Sequence, residues 1–333
     1  MEINGNLRIY QAVADKAVKN YQYIDHFYEV RLLDYSENCT YIIEKTNSSD
    51  DKYILRVCRP NYHEFEEIKS EIEFAKSLDD NTSVNLCMPQ KADNGEYVQR
   101  IVHEGKEYFT VLFNYIRGNM PNIDHESNLI KVFKNIGEIT ANFHLHSIEN
   151  SEQFSKLKRP VWDYETILGD VPKWGRWQDG KGLTENRYDI FNRVSKTIKK
   201  RLDSFGKTKG HFGLIHADLR HTNLLVDEKN KVSVIDFDDS GFGYYLYDLA
   251  ASLSFIEHRE YVPKLIHSWI EGYNAVRRLS EAEVNEIPTF IMMRRLQLIS
   301  WIGSRDNETS RELGSKYSED SDIIMLQYLK KYE

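Results

Sequence analysis

The chain is poor in cysteine and has no long apolar run. Its 333 residues include only Cys39, Cys58 and Cys87, and no two of them have the Cys-x-x-Cys spacing of a zinc or redox site. We therefore expect reduced thiols rather than disulfides. No apolar run approaches the roughly 18 residues that span a bilayer, and the first residues lack the basic and apolar regions of a secretion signal. These absences predict a cytoplasmic protein.

Positive charge is also in deficit. Lysine and arginine number 44 against 52 aspartates and glutamates, which gives a net charge of −8. Electrostatic attraction to nucleic acid or to an anionic membrane is therefore not indicated, and we expect neither as a partner. The length suggests two domains with room for a sizeable core, and the oligomeric state stays open.

The first part of the chain alternates short β-type runs with turn-forming residues. A leading helix is predicted over residues 7–20 and a second one over residues 62–78, because apolar side chains recur there every three or four residues. The predicted strands are residues 26–33, 39–45, 52–57, 97–102 and 107–114. These elements predict an antiparallel β-lobe with one inserted helix, ending at residue 115.

The second part is mostly helical. The predicted helices are residues 128–146, 186–205, 245–258, 260–275, 280–301 and 323–332. The helix at residue 280 opens with a capping box formed by Ser280 and Glu283. The expected fold class is α+β and bilobal, with residues 1–115 as the smaller lobe and 116–333 as the larger one. A cleft between lobes is the expected ligand site.

Residues 214–239 carry side chains suited to phosphoryl transfer. The stretch reads as two short apolar strands that deliver polar residues: Asp218, Asn223 five residues later, and Asp236 thirteen residues after that. Phosphoryl transfer needs a carboxylate facing the acceptor hydroxyl, together with an amide and a carboxylate that hold Mg²⁺. A plain β-hairpin with polar turn residues is the alternative. The spacing and the order of the residues favour a catalytic loop.

These residues give the chain a family resemblance. It resembles the superfamily of aminoglycoside phosphotransferases, choline kinases and type II homoserine kinases, which shares the protein-kinase fold. Within it, the Arg159–Glu165 segment, the Trp174-Gly-Arg-Trp177 stretch and Arg294-Arg-Leu look most like the homoserine-kinase-like and stress-response-kinase branch. The motifs that carry the resemblance to the superfamily are His216-Ala-Asp218 followed by Asn223, Ile235-Asp236-Phe237-Asp238, and Asp248-Leu-Ala. The family has His-Gly-Asp at the first of them, so the alanine is a departure.

The resemblance implies a kinase that uses ATP and Mg²⁺. Asp218 would face the acceptor hydroxyl, while Asn223 and Asp236 would hold Mg²⁺, which keeps water and phosphate oxygens as its other ligands. His216 would brace the loop through hydrogen bonds. Asp248 would accept hydrogen bonds from the backbone N–H groups of the loop.

In the β-lobe the chain departs from the family pattern. Arg56 stands on the third strand where lysine is usual, and Glu71 on the following helix is its predicted partner, with Glu67 in reserve. Arginine is a planar bidentate donor rather than a compact point charge, so the phosphate geometry differs. Lys52 and Arg59 are the other basic candidates, and an arginine that faces solvent is the alternative.

Other nucleotide contacts are predicted from position alone. The loop between the first two strands contains no glycine, and its Ser36 and Asn38 side chains are the expected phosphate contacts. The link after residue 112 would present backbone groups of Asn114 and Ile116 to an adenine edge. Asp238 and Asp239 keep two interpretations: contact with a second metal or the substrate, or a solvated turn.

The acceptor is predicted to be a small molecule. An insert at residues 159–177 either shapes the acceptor pocket or supplies core aromatics. The side chains in question are Arg159, Trp162, Trp174, Arg176 and Trp177, with Arg295, Trp301 and Arg305 from a later helix. An acidic pocket would favour a polycationic antibiotic, whereas arginine and tryptophan suit a carboxylate or a phosphate. An amino alcohol or an amino acid such as homoserine is therefore favoured over an aminoglycoside. The alternatives are a protein Ser/Thr kinase of the stress-response type and a nucleotide-binding pseudokinase regulator.

Overall fold

The computed structural model describes residues 2–35, 38–46, 48 and 51–333. The helices are α1 (Glu2–Ala17), α2 (Phe65–Asn81), α3 (Glu126–Glu149), α4 (Ser151–Phe154), α5 (Tyr164–Leu168), α6 (Glu185–Phe205), α7 (Tyr247–Ser252), α8 (Val262–Asn274), α9 (Glu281–Ser304), α10 (Glu308–Leu313), α11 (Lys316–Glu319) and α12 (Asp322–Tyr332). The strands are β1 (Tyr28–Tyr35), β2 (Cys39–Lys45), β3 (Lys52–Val57), β4 (Asn85–Leu86), β5 (Val98–His103), β6 (Lys106–Asn114), β7 (Val161–Trp162), β8 (Phe212–Ile215), β9 (Leu224–Val226), β10 (Val232–Val234) and β11 (Gly241–Tyr244).

The chain folds into two compact units. The N-terminal unit runs to Gly118 and also contains Leu225–Asp238, and the C-terminal unit comprises Asn119–Leu224 and Asp239–Glu333. The domain limit between residues 115 and 116 stays a prediction. Among the described helices, none combines the length and the apolar character needed to cross a membrane.

The N-terminal unit is built on a five-stranded antiparallel sheet in the order β1-β2-β3-β6-β5. Helix α1 packs on it through Val13, Ala14 and Ala17, which share one buried cluster with Tyr41 of β2 and Leu55 of β3. Helix α2 is inserted after β3. The predicted antiparallel sheet with an inserted helix is confirmed, and β2 and β3 have the predicted bounds.

The prediction that residues 214–239 form two strands is wrong. The stretch contributes to three strands in two different small sheets: β8 lies in the order β7-β11-β8, whereas β9 and β10 lie in the order β4-β10-β9. Strand β8 pairs antiparallel with β11, and β10 pairs parallel with β4. Strands of three or four residues are too short to show a periodicity that assigns their partners.

The long helices of the C-terminal unit confirm the helical prediction. The capping box at the start of α9 is present: Ser280 Oγ accepts from Glu283 N–H at 3.2 Å, and Glu283 Oε2 accepts from Ser280 N–H at 2.8 Å. The helix predicted over residues 245–258 is much shorter, because α7 ends at Ser252. Phe255 then has a φ of 73°, a left-handed conformation that a continuing α-helix does not allow.

Helices α3 and α8 approach each other backbone to backbone. A Cβ atom on Gly272 would overlap the carbonyl oxygen of Lys134, and one on Gly137 would overlap the carbonyl oxygen of Trp269. The two glycines therefore set the spacing of the helix pair. Helix α3 also carries His144, a residue of the candidate active site.

Gly272→Ala is expected to lower the free energy of unfolding by about 1–3 kcal/mol, because the added methyl group forces the helices apart. The effect should appear although alanine is the better helix former. Urea unfolding followed by circular dichroism measures it. His267→Ala, at an exposed position of the same helix, should change stability by less than about 0.5 kcal/mol. An unchanged midpoint for Gly272→Ala would contradict the close approach.

Candidate active site

The N-terminal unit contains a buried, bidentate ion pair. Arg56 of β3 donates to both carboxylate oxygens of Glu71 of α2, each at 2.8 Å. Both residues are buried. Burial alone lowers the pKa of Arg56, but Glu71 and the other acids around it raise the pKa well above the ordinary arginine value. The side chain is a permanent cation whose orientation is fixed by its fork of donors.

The reserve candidates for this pair are engaged elsewhere. Glu67 accepts from the backbone N–H of Glu64 at 2.8 Å and so caps the start of α2. Lys52 bonds Glu44 at 3.1 Å, and the guanidinium of Arg59 lies over the ring of Tyr62 at 4.1 Å. The structure therefore brings Arg56 and Glu71 together, as the sequence predicts.

Asp238 joins this pair to the loop between β1 and β2. Its Oδ1 lies 3.5 Å from Arg56 Nη1, and its Oδ2 accepts from Asn38 Nδ2 at 2.9 Å. Asn38 Oδ1 in turn accepts from the backbone N–H of Arg59 at 2.9 Å. Asp238 is buried, so it is not a solvated turn residue. Ser36, the other predicted phosphate contact of the loop, lies outside the described residues.

Asp236 has a strained backbone and an exposed side chain. Its φ is 66°, a left-handed value that is costly for a residue other than glycine. Phe237 next to it is buried and meets the ring of Phe74 edge-on, with 6.1 Å between centroids. The buried phenylalanine thus anchors the turn on which Asp236 stays accessible.

The two predicted adenine contacts are the last residue of β6, Asn114, and Ile116 beyond it. The Asn114 N–H donates to the Met88 carbonyl at 2.9 Å, and the Asn114 carbonyl accepts from Cys87 Sγ at 3.3 Å. Burial raises the pKa of the Cys87 thiol to about 12, so it stays protonated and can donate. These bonds engage the backbone of Asn114 within its own unit. Ile116 lies two residues beyond the end of β6, and the contacts of both residues with an adenine stay predictions.

In the C-terminal unit a buried carboxylate holds the predicted catalytic loop. Asp248 accepts from the backbone N–H of His216 at 3.1 Å and of Ala217 at 2.6 Å. This confirms its predicted role as an acceptor for the loop. Ala217 has a φ of 67°, which explains why the family has glycine there. The bond to Asp248 holds the alanine in this strained conformation.

A chain of buried polar groups extends from Asp248 to helix α8. His144 Nε2 lies 3.0 Å from Asp248 Oδ2, and His144 Nδ1 lies 2.9 Å from the Tyr273 hydroxyl. Arg277 donates to that hydroxyl at 3.0 Å. Burial lowers the pKa of His144, so the ring is neutral at pH 7 and donates from Nε2 to the carboxylate. No local sequence pattern marks Tyr273 or Arg277 as part of this chain.

Asp218 lies between two arginines. Its Oδ1 accepts from Arg294 Nη2 at 2.9 Å, and its Oδ2 accepts from Arg220 at 3.1 and 3.2 Å. Asn223 Nδ2 donates to the backbone carbonyl of Asp218 at 2.8 Å. His216 Nδ1 faces the Asp218 N–H at 3.4 Å, in keeping with a bracing role. Arg294, which the sequence does not single out as a site residue, is therefore a direct partner of the predicted catalytic carboxylate.

Arg295 and the aromatic insert are structural. Arg295 is completely buried and donates to Glu257 at 2.7 Å and to the Tyr317 carbonyl at 2.7 Å. Trp162 and Trp174 stack with 3.9 Å between ring centroids, and both are buried, as is Trp177. The core interpretation of these tryptophans therefore holds.

The predicted metal ligands have suitable chemistry. Asn223 uses its amide nitrogen to bond the Asp218 carbonyl, which leaves its Oδ1 as the atom that could bind a cation. Asp236 offers an exposed carboxylate. Mg²⁺ prefers such oxygen donors and needs only one or two from protein. The donor types fit a hard divalent cation, and the pair itself stays a prediction because the two residues belong to different units.

Fold and site together define a phosphotransferase with the kinase type of architecture. The model for the phosphotransferase enzyme family matches residues 30–282, so the chain belongs to this family. It is a small-molecule kinase that phosphorylates an alcohol group.

Several known proteins are similar to the chain over most of its length. A structure described as a microcompartment-associated aminopropanol kinase has a TM-score of 0.85 and 32% identity, covering 96% of this chain and 98% of that one. Amicoumacin kinase of Bacillus subtilis (strain 168) is 24% identical over 279 residues, which are 80% of this chain and 78% of the relative. The amicoumacin kinase hAmiN, solved with AMP-PNP, Ca²⁺ and Ami, shares the fold at a TM-score of 0.75 and 18% identity, covering 98% of this chain and 96% of that one.

Asp248→Asn is expected to lower the free energy of unfolding by about 2–4 kcal/mol. The buried N–H donors that bond Asp248 lose their charged acceptor, and the amide nitrogen of the new side chain is itself a donor facing other donors. Turnover should fall as well, since the loop loses its anchor. Urea unfolding and steady-state kinetics measure the two effects. Asp203→Asn, an exposed substitution of the same type in the same unit, should leave both nearly unchanged. Equal stability of the two variants would contradict the anchoring role.

Proposed function

We propose that the protein transfers the γ-phosphate of ATP to the hydroxyl of an amino alcohol in a Mg²⁺-dependent reaction, with an amino acid such as homoserine as the second acceptor class. One observation carries the proposal: Asp218 and Asn223 are held together on a loop that the buried Asp248 fixes through two backbone bonds. A carboxylate and an amide fixed in this way suit an acceptor hydroxyl and a metal.

The choice of acceptor class has two supports. The aminopropanol kinase resembles this chain along nearly its whole length. The C-terminal unit also offers Asp239 as an anionic group, and Trp162 Nε1 fixes its backbone by donating to the Asp239 carbonyl at 2.8 Å. A carboxylate is a natural partner for the ammonium group of an amino alcohol. The tryptophans of the insert are core and Arg159 donates to the Ser240 carbonyl at 2.6 Å, so these residues do not support an anionic acceptor.

The nucleotide and metal assignments rest on the family motif and on chemistry. The hAmiN structure contains an ATP analogue and a divalent cation, which supports ATP and a divalent metal for this family member. Asn223 and Asp236 would hold Mg²⁺. Because both Nη atoms of Arg56 already bond Glu71, a phosphate would share this cation with the carboxylate. The proposed nucleotide contacts are Ser36, Asn38, Arg56, Glu71, Asn114 and Ile116.

The deciding experiment is an acceptor panel. Mg²⁺-dependent ADP release would be measured with 1-amino-2-propanol, ethanolamine, homoserine, spectinomycin and a generic protein substrate, each with ATP and with GTP. The proposal expects the highest kcat/KM for an amino alcohol, and loss of turnover with excess EDTA. A protein as the best substrate would support the stress-response type of kinase. ATP binding without turnover of any acceptor would support the pseudokinase.

Asp218→Asn is expected to lower kcat for the best acceptor by about 10²–10⁴-fold, because a neutral amide cannot take up the hydroxyl proton. The KM for ATP should change little. Asp227→Asn, at a turn carboxylate outside the proposed site, serves as the matched control. A loss of less than about tenfold for Asp218→Asn would make the catalytic assignment wrong.

Arg56→Lys is expected to raise the KM for ATP about tenfold. Lysine supplies a single point charge, whereas arginine can bond both Glu71 oxygens and a phosphate at the same time. Arg31→Lys is the matched control on the same sheet, since Arg31 is exposed and pairs only with Glu44 at 3.0 Å among the contacts described for it. Equal KM values for the two variants would show that Arg56 does not act on the nucleotide.

A further inference from the structure

We propose that Arg294 is a positioning residue that fixes the Asp218 carboxylate and selects Asp218 Oδ2 as the oxygen that receives the acceptor hydroxyl. The inference rests on the proposed function, because it takes Asp218 as the carboxylate that faces the acceptor. It adds a residue that lies outside the catalytic and metal-binding motifs of the sequence, and it assigns different tasks to the two oxygens of one carboxylate.

Arg294 is held firmly by its hydrogen-bond partners. Its Nε donates to Ser254 Oγ at 2.9 Å, and its Nη1 donates to the Tyr247 hydroxyl and to Gln297 Oε1, both at 3.2 Å. Tyr247 also donates to Gln297. All these partners are buried. The planar guanidinium therefore has one orientation, with Nη2 directed at Asp218.

The two oxygens of Asp218 have different partners. Oδ1 bonds Arg294, whose side chain is 7% exposed, whereas Oδ2 accepts from Arg220, whose side chain is 29% exposed, and from Asn223 Nδ2 at 3.3 Å. Removing Oδ1 from Arg294 would leave a buried cation without its anion, which is strongly unfavourable. Arg220 can turn toward solvent with little loss, because ion pairs near the surface are weak. An incoming hydroxyl therefore displaces Arg220 and takes Oδ2.

This arrangement serves phosphoryl transfer to the acceptor hydroxyl. The acceptor oxygen bonds to the γ-phosphorus, the bond from that phosphorus to the bridging oxygen of ATP breaks, and ADP leaves with the electron pair. The hydroxyl proton passes to Oδ2 of Asp218 and then to solvent. With Oδ1 held by Arg294, the carboxylate cannot rotate, so Oδ2 keeps the direction that the hydroxyl needs.

Arg295 provides a matched control one residue along α9. It is also buried and also paired with a carboxylate, Glu257, but none of its described contacts is with Asp218. Arg294→Lys and Arg295→Lys remove a similar number of hydrogen bonds from the same helix. A purely structural role for Arg294 predicts similar kinetics for the two variants.

The test measures kcat and KM of both variants with the best acceptor, together with their melting temperatures. Arg294→Lys is expected to lower kcat at least about tenfold, with both KM values within about threefold of wild type. Arg295→Lys is expected to have a lower melting temperature but to keep kcat within about threefold of the wild-type value. A raised acceptor KM with unchanged kcat would make Arg294 a binding residue and overturn the proposal. Equal losses of kcat in the two variants would overturn it as well.

A double-mutant cycle separates this proposal from the proposed function. If Arg294 acts through Asp218, Arg294→Lys should lower kcat less than about twofold in the Asp218→Asn background. Full additivity would overturn the positioning role while leaving Asp218 as the catalytic carboxylate. Retained turnover in Asp218→Asn alone would instead refute the catalytic assignment itself.

Milder variants keep the proposal testable if Arg294→Lys does not fold. Ser254→Ala and Tyr247→Phe each remove one of the groups that orient Arg294 and leave its charge in place. Each is expected to lower kcat about two- to fivefold with unchanged KM values. Ser252 is another buried serine, and its hydroxyl bonds within its own turn at 2.7 Å. Ser252→Ala should therefore have no such effect. Wild-type kcat in both test variants would overturn the proposal.

Discussion

The predicted catalytic loop depends on the buried carboxylate of Asp248. This one side chain accepts the N–H groups of His216 and Ala217 and the Nε2–H of His144. A buried anion is stable only with such a complete set of donors. Its bonds also hold Ala217 in a left-handed conformation that alanine adopts only under constraint. The direction in which the chain presents Asp218 follows from this anchor.

The two units use the same physical device, a buried arginine that orients a carboxylate of the motif. In the N-terminal unit Arg56 bonds Glu71 and lies against Asp238; in the C-terminal unit Arg294 bonds Asp218. Arginine suits this task because its charge is permanent and its donors are rigidly arranged. In both cases the carboxylate has a second, polar partner, Asn38 for Asp238 and Arg220 for Asp218. The two buried charges that hold these motif residues, Arg56 and Arg294, both lie outside the motif.

This explains what the sequence could and could not predict. The bounds of β2 and β3, the pairing of Arg56 with Glu71 and the role of Asp248 follow from alternation, helical spacing and family resemblance, which are local signals. Arg294 lies 76 residues from Asp218, and no periodicity joins two positions so distant. The early end of α7 was also hidden, because the left-handed turn at Phe255 uses a residue type that gives no turn signal.

The aromatic insert shows why residue type alone does not locate a pocket. Tryptophan and arginine are common both in binding sites and in cores, and only the packing distinguishes the two. Here Trp162 and Trp174 stack in the interior, and the Nε1 of Trp162 supports the backbone of Asp239. The insert therefore fixes a residue that follows the motif. The proposed preference for an ammonium group over an anion accordingly rests on the carboxylate of Asp239, and not on the tryptophans of the insert.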